Sequence, residues 1–203
     1  MRCGQALSSL GMLEQEIKSY LTLHNEPFSD FSGSHTALDF FLSGHNIHID
    51  AKEKRQRFSM KNWKEARMPQ EHMFIIDDLS VRKLLLHAPH SFTLIRDSSV
   101  SPATYFVYSI VDFLCIPKVR CRRPIRRRTT VALKGKWIID LRDAATFETL
   151  GDAIAYVTSY KKKHPAIFED QIDCWGKYPS ERVARSGSMR TARFWDLDAK
   201  AHS

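Results

Sequence analysis

A hairpin pattern between residues 35 and 53, HTALDFFLSGHNIHIDAKE, constrains the fold of this chain more than any other stretch. Residues 36–42 are rich in apolar and aromatic side chains, which favours a strand. Residues 46–52 alternate between apolar and polar side chains, as a strand with two different faces does. Ser43 and Gly44 separate the two runs and suit a tight turn. The pattern therefore predicts two paired strands.

Three charged side chains of this hairpin suit phosphodiester chemistry. Asp39 lies at the centre of the first predicted strand, and Asp50 and Lys52 lie near the end of the second. Alternate side chains of a strand share a face, so Asp50 and Lys52 point the same way. Two carboxylates facing each other across a hairpin can share a hard cation, usually Mg²⁺. Lys52 could then act as a fixed positive charge or as a lysine with a depressed pKa.

The remaining patterns predict an α/β domain with a mixed sheet flanked by helices. Before the hairpin we predict a helix over 5–24, capped by Ser8 or Ser9, and a short edge strand within 25–34. After it come an apolar run at 73–76 and a helix that is capped by Asp77 or Asp78 and ends before Pro89. The later elements are a strand over 91–97, a central strand over 105–114, a strand over 136–141 and a helix over 145–163. We expect one domain over 1–178 with extra C-terminal strands and a helix. Residues 179–203 are mostly small, polar or basic, and we expect them to form a flexible tail.

The charge of the chain favours an anionic partner. The formal net charge is +8 and the isoelectric point is near 9.4, a balance typical of proteins that bind nucleic acid. Cations concentrate in 54–67, where Phe58 and Trp63 interleave with them, and in 118–128. The first segment suits phosphate and base contacts, or else an exposed linker or lid. The predicted nucleic-acid-binding residues are Arg55, Arg57, Lys61, Lys64, Arg120, Arg122, Arg123, Arg126, Arg127 and Arg128.

Cysteine and histidine patterns do not favour zinc. The four cysteines contain no CxxC pair and are interpreted as reduced thiols. Three histidines near the hairpin, His35, His45 and His48, lack the one-face spacing of a compact site. No apolar run approaches the roughly 18 residues of a membrane span, and no secretory signal pattern is present. We therefore expect a cytoplasmic protein that does not enter the membrane.

The order of charged residues and predicted elements resembles the PD-(D/E)xK nuclease superfamily. A helix with Glu14 is followed by Asp39, by Asp50-Ala51-Lys52, and then by a helix and a strand. The resemblance implies a restriction-endonuclease-like αβββαβ core and Mg²⁺-dependent DNA cleavage, with Mn²⁺ as a substitute. It also implies that Asp39, Asp50, Glu14 and the Ala51 backbone carbonyl bind metal. Lys52 would position or activate the attacking water.

The resemblance covers about residues 10–97 and departs from the family at one point. Ala37-Leu38 precede Asp39, so the proline of the family motif is absent. Such an endonuclease could serve restriction, recombination, repair or strand cleavage by a mobile element, as a homodimer or in a larger nucleoprotein complex. The alternatives are a non-catalytic nucleic-acid-binding or assembly module on the same fold, and a surface hairpin whose Asp50 and Lys52 are solvated neighbours.

Overall fold

Helices and strands alternate along the chain in the computed structural model, which describes residues 11–59, 61–66, 68–126 and 131–168. The helices are α1 (Met12–Leu23), α2 (Asp78–Leu86), α3 (Ile110–Cys115), α4 (Leu150–Lys163) and α5 (Pro165–Phe168). The strands are β1 (Phe28–Asp30), β2 (Phe40–Leu42), β3 (Ile47–Lys54), β4 (Met73–Asp77), β5 (Ser91–Asp97), β6 (Thr104–Ser109), β7 (Lys118–Arg126), β8 (Val131–Asp140) and β9 (Ala145–Phe147). This confirms the predicted α/β class.

By its internal contacts the chain divides into two units, Met1–Ser159 and Tyr160–Ser203. In the second unit, the described residues contain the last turn of α4, with Lys161, Lys162 and Lys163, and the short α5. The predicted boundary at 178 and the predicted tail lie outside the described residues. None of the helices in the described ranges has both the length and the apolar character needed to cross a bilayer.

A six-stranded mixed sheet organises the first unit, in the order β1-β2-β3-β5-β6-β9. The first three strands form an antiparallel meander, in which Phe40 pairs with Ile49 and Leu42 with Ile47. β5 then runs parallel to β3, and β6 and β9 follow in antiparallel pairing. Helix α1 packs against β3. Its buried residues, Leu13, Ile17 and Leu21, lie on the apolar stripe that its periodicity predicts, whereas His24, predicted on the same stripe, is exposed.

A second, three-stranded antiparallel sheet has the order β4-β8-β7. An apolar core joins it to α2, α3 and the large sheet. The buried members of this core are Leu38, Phe74, Ile76, Val81, Leu84, Ile95, Tyr108, Ile110, Phe113, Ile139 and Leu141. Gly135 in β8 permits a close approach of α2, because a Cβ at this position would lie 2.9 Å from the Cβ of Asp78.

Strand β5, and not the run over 105–114, is the most enclosed strand. All of its residues except Arg96 are buried. The predicted strand over 105–114 is confirmed for residues 105–109 and wrong for 110–114. Strand β6 ends at Ser109, whose hydroxyl accepts a hydrogen bond from the Asp112 amide (2.9 Å). The Asp112 carboxylate in turn accepts one from the Ser109 hydroxyl (2.6 Å). This local cap begins a helix inside an apolar run.

Two predicted helices begin later than their periodicity indicates. Helix α1 has Gly11 at its N-cap position; the predicted helical residues 5–10, with the predicted caps Ser8 and Ser9, lie outside the described ranges. Helix α4 begins at Leu150, because residues 145–147 pair with β6 as strand β9. The hydroxyl of Thr149 then accepts a hydrogen bond from the Asp152 amide (3.1 Å) and so caps the first turn.

Candidate active site

Asp39 directly precedes β2 and is not at the centre of a strand as predicted, because the pairing with β3 begins only at Phe40. Its side chain nevertheless turns towards β3. The Asp39 Oδ2 atom accepts a buried hydrogen bond from the Ala51 amide at 2.7 Å. Asp39 is 8% exposed and Asp50 is 2% exposed. The hairpin thus brings both carboxylates to the same part of β3.

Three oxygen atoms converge on the ammonium group of Lys52. Lys52 Nζ donates hydrogen bonds to Asp50 Oδ1 at 2.7 Å and to the Ala51 carbonyl at 3.1 Å. Asp39 Oδ2 lies 3.7 Å from the same nitrogen. These contacts confirm that Asp50 and Lys52 share a face of β3. The alternative of a surface hairpin with solvated neighbours is wrong, because Asp50 is buried.

Burial and charge set the ionisation of this cluster. Burial raises the pKa of Asp50, although the charge and hydrogen bond of Lys52 oppose this effect. Burial also lowers the pKa of Lys52, but the charges of Asp50 and Asp39 outweigh it and raise that pKa above its ordinary value. These charges favour Lys52 as a fixed positive charge over a lysine with a depressed pKa. Within the described residues, the buried Oδ2 atom of Asp50 has no hydrogen-bond partner.

Glu14 lies at a pocket beside this cluster. The pocket has a volume of about 380 Å³ and is lined by Gly11, Leu13, Glu14, Ala51, Lys52, Glu53 and Arg55. The Glu14 carboxylate accepts a hydrogen bond from the Gly11 amide at 2.7 Å, which caps α1. Its charge also contributes to the raised pKa of Lys52. The structure therefore places Glu14 near the cluster, held by its own helix.

The pocket wall contains a carboxylate that the sequence pattern does not single out. The side chain of Glu53 is 6% exposed. It accepts hydrogen bonds from Arg55 Nε at 2.8 Å and from the Ser98 hydroxyl at 3.2 Å. Arg96 Nη1 lies 3.8 Å from Glu53 Oε1. Glu53 belongs to the face of β3 opposite Lys52, so the alternation alone gives it no link to the predicted site.

Glu16 on α1 is part of the same network. Its Oε2 atom lies 3.6 Å from Arg96 Nη1, and its Oε1 atom accepts a hydrogen bond from the Tyr105 hydroxyl. Burial and the adjacent Glu16 raise the pKa of Tyr105 to about 12. This flank of α1 therefore faces polar side chains of the sheet. Only the position of Glu16 at the edge of the apolar stripe could have indicated this.

Lys83 on α2 is a further cation near the carboxylates. Its ammonium donates a hydrogen bond to the Ala37 carbonyl at 2.9 Å, two residues before Asp39. Burial raises the pKa of Asp50, and the positive charge of Lys83 opposes this effect by lowering that pKa. No sequence signal separates Lys83 from other helical lysines, since only the packing of α2 places it here.

Among the predicted nucleic-acid-binding cations whose side chains are described, one group pairs with acids and the other does not; Arg55, which pairs with Glu53, belongs to the first group. Arg120 binds the Asp78 carboxylate at 3.0 and 3.1 Å, and Arg123 binds Glu65 at 2.8 Å. Both guanidinium groups also stack on tryptophan rings. In contrast, Arg57, Lys61, Lys64 and Arg122 are exposed and form no ion pair with other described residues. The side chain of Arg126 is not described, and Arg127 and Arg128 lie outside the described residues.

Lys54 corrects the prediction for the first basic segment. The segment 54–67 is predicted to contact phosphates, yet Lys54 is 1% exposed. Its ammonium pairs with the buried Asp97 carboxylate at 2.7 Å and also donates a hydrogen bond to the Glu71 carbonyl. The prediction is wrong for Lys54 because β3 extends to this residue, where the parallel register places it opposite Asp97.

The histidines near the hairpin occupy separate environments. His45 Nε2 lies 3.4 Å from the Glu26 carboxylate. The ring of His48 stacks between Phe41 and His87, with centroids 4.6 and 3.8 Å apart. Burial, followed by the charges of two nearby histidines, lowers the pKa of His48 to about 4. Within the described ranges, no group of three or more His, Cys, Asp or Glu side chains could hold a metal ion.

The Asp77-Asp78 pair forms ion pairs in place of the predicted capping hydrogen bond. Asp77 occupies the N-cap position of α2, but its side chain makes no capping hydrogen bond. It binds Lys134 and Lys136 on β8 instead. Burial raises the pKa of Asp77, and these lysine contacts outweigh it and hold that pKa below its ordinary value. Through these contacts and that of Asp78 with Arg120, the pair ties the start of α2 to β7 and β8 of the small sheet.

Comparisons of the chain with protein-family models, curated proteins and solved structures find no match. The chemistry of the site is therefore defined by its own geometry. Two buried carboxylates, one backbone carbonyl and one ammonium meet beside a pocket that Ala51 and Lys52 line and whose wall also carries an exposed arginine. This combination can hold a hard cation and a phosphate side by side.

Proposed function

We propose that this chain is a Mg²⁺-dependent DNA endonuclease that hydrolyses phosphodiester bonds at Asp39, Asp50 and Lys52. One observation carries the proposal. Oxygen atoms of Asp50, Ala51 and Asp39 lie 2.7, 3.1 and 3.7 Å from a single nitrogen, Lys52 Nζ. Oxygens that surround one positive charge in this way can also surround a metal cation.

The residues present fit Mg²⁺. It prefers oxygen ligands, uses one or two carboxylates and keeps several waters. The buried Asp50 Oδ2, which has no hydrogen-bond partner among the described residues, supports the fit because such an atom is costly to bury without one. Asp39, Asp50 and the Ala51 carbonyl would hold the ion; among the described residues Glu14, whose carboxylate the Gly11 amide engages, does not complete a three-carboxylate group with them. When bound, the ion neutralises phosphate charge and makes water more acidic, as Mn²⁺ also can.

The chain contributes positioning and charge of its own. The hydrogen bond from the Ala51 amide orients the Asp39 carboxylate in its buried site. Lys52 lines the pocket and keeps its proton, because the neighbouring carboxylates raise its pKa. Its positive charge can therefore offset the negative charge that develops on a phosphate in the transition state. Partial burial strengthens this interaction relative to water.

The order of the elements supports the same proposal. Helix α1, the meander β1-β2-β3, helix α2 and the parallel strand β5 follow the αβββαβ order of the family that the sequence resembles. Strand β4 is an addition that belongs to the small sheet. The exposed cations of the chain supply candidate contacts to the DNA backbone, and its formal charge of +8 favours a polyanion.

A plasmid-nicking assay with Mg²⁺ tests the proposal. We expect the wild-type protein to convert supercoiled plasmid to open-circular or linear forms. Asp50→Asn and Lys52→Met should each lower the rate by about 100-fold or more. Lys18→Met is the matched control, because Lys18 also pairs with an aspartate at 2.7 Å, Asp30, but does so away from the pocket. Wild-type rates in both site variants would contradict the assignment.

A second candidate is a nucleic-acid-binding or assembly module without cleavage. It is favoured by the lack, among the described residues, of any cluster of three or more side chains able to hold a metal. The same preparations distinguish it. DNA binding by the wild-type protein, without cutting of supercoiled, linear or branched DNA in Mg²⁺ or Mn²⁺, would support this module and reject the endonuclease.

A further inference from the structure

We infer that Arg55 binds a substrate phosphate in the pocket beside Lys52 and that Glu53 positions the Arg55 guanidinium for this contact. The inference rests on the proposed function, because it takes the pocket as the entry point of the DNA backbone. It assigns one exposed arginine to the reaction site, in place of general contact along the basic segments. It also gives Glu53 a positioning role.

Arg55 retains most of its hydrogen-bonding capacity. Its Nε atom donates to Glu53 Oε2 at 2.8 Å, and its side chain is 65% exposed. The terminal nitrogens of Arg55 form no ion pair with other described residues. The Nη2 atom reaches towards the start of α1, where it lies 3.8 Å from the position that a Cβ on Gly11 would occupy. A guanidinium in this state can bind a phosphate through two parallel N–H donors.

The attachment of Glu53 holds this guanidinium in place. Glu53 and Arg96 are opposite each other in the parallel register of β3 and β5. The Ser98 hydroxyl also donates to Glu53, and Arg96 lies between Glu53 and Glu16 on α1. Because Glu53 is fixed by the sheet, Arg55 loses less side-chain freedom when it binds an anion. The network therefore prepares Arg55 for a ligand.

The other charged groups of the pocket already have partners. The Glu14 carboxylate accepts from the Gly11 amide, and the Glu53 carboxylate accepts from Arg55. Lys52 is engaged by the oxygens of the carboxylate cluster. The terminal nitrogens of Arg55 thus provide available donors for an incoming anion in the pocket that Lys52 also lines. A phosphodiester is the anion that the proposed reaction brings to this place.

The test measures binding separately from cleavage. The full chain carrying Asp50→Asn is titrated with a short fluorescent DNA duplex in EDTA, with and without Arg55→Gln. We expect Arg55→Gln to weaken binding about tenfold. The slope of log affinity against log salt should become shallower by about 0.9, as for one lost phosphate contact. Arg142→Gln is the matched control, because Arg142 is 56% exposed and also pairs with an acid two residues earlier, Asp140.

Glu53→Gln tests the positioning role through non-additivity. It should weaken DNA binding in the Asp50→Asn protein but have little further effect once Arg55→Gln is present, because both changes remove the same contact. In the protein that retains Asp50, we expect Arg55→Gln to raise KM about tenfold and to change kcat by less than about threefold. Equal effects of Glu53→Gln in both backgrounds would overturn the positioning role. Because Arg55 is exposed, Arg55→Gln retains the fold. Its effect on DNA binding therefore tests the phosphate contact independently of the Glu53 result.

The outcomes separate this inference from the proposed function. Cleavage that depends on Asp50, together with Arg55→Gln binding like Arg142→Gln, would overturn the Arg55 contact and leave the endonuclease intact. If Arg55→Gln weakens DNA binding and makes the slope of log affinity against log salt shallower, but no variant cleaves DNA, the phosphate contact stands and the endonuclease is rejected. No DNA binding by the full chain at low salt would reject both.

Discussion

Lys54→Met should destabilise the folded protein by about 3–5 kcal/mol, because it removes one partner of a buried ion pair. The Lys54 side chain is 0% exposed and the Asp97 side chain is 4% exposed, with 2.7 Å between Nζ and Oδ2. The Asp97 Oδ1 atom keeps its hydrogen bonds from Ser99, but Oδ2 loses its counter-charge. The Glu71 carbonyl loses a donor as well. Because domains of this size are stable by about 5–15 kcal/mol, the loss is a large fraction.

Urea unfolding followed by circular dichroism measures this effect. We expect the midpoint of Lys54→Met to fall by at least about 1 M with an unchanged slope, given slopes of about 1–3 kcal/mol/M. Replacing both partners, Lys54→Met with Asp97→Leu, should cost less than the sum of the two single changes, because no buried charge then remains unpaired. The cycle isolates the ion pair from the loss of aliphatic packing.

Arg55→Gln is the matched comparison, because Arg55 is the next cation in the chain and is exposed. Its unfolding free energy should stay within about 0.5 kcal/mol of wild type. The two neighbours should therefore separate stability from DNA affinity. A Lys54→Met protein with wild-type stability and weakened DNA binding would refute the buried-pair reasoning and return Lys54 to the DNA-contacting segment.

Three further outcomes are expected. Asp77→Asn should lower the free energy of unfolding at pH 7 by up to about 1 kcal/mol. Because folding holds the Asp77 pKa below its ordinary value of 3.8, the difference from wild type should disappear as the pH falls through the lower pKa of the folded state. Urea titrations at each pH measure it. Mg²⁺ at 100 times its Kd should stabilise the wild type by about 2.7 kcal/mol in a melting assay, but not Asp50→Asn. Gly135→Ala should cost about 1–3 kcal/mol by overpacking against Asp78, whereas Gly33→Ala, which meets no atom within 4 Å, should not.

Local patterns were sufficient for much of the hairpin. The alternation over 46–52 predicts a strand on which Asp50 and Lys52 share a face, and their 2.7 Å contact confirms it. Periodicity likewise predicts the buried stripe of α1. These predictions succeed because the direction of a side chain along one helix or strand follows from backbone geometry alone. The same geometry did not indicate where Asp39 would leave the strand.

Caps and strand pairing account for the main errors. The apolar run over 105–114 contains no polar interruption except Ser109 and Asp112, yet these two residues cap each other and begin a helix. Residues 145–147 have a helical pattern, but pairing with β6 makes them a strand. Short polar side chains and distant backbone partners decide such boundaries, and a window of hydrophobic periodicity records neither.

The sequence by itself determined that Asp50 and Lys52 would lie side by side, because they are alternate residues of one strand. Only the tertiary structure decided that Lys54 is buried and Arg55 exposed, although they are adjacent cations in one basic run. The parallel register of β3 and β5 places Lys54 opposite Asp97 in the interior and Glu53 opposite Arg96 beside the pocket. Pairing between strands more than 35 residues apart sets these contacts, so no local pattern could distinguish the buried lysine from the exposed arginine.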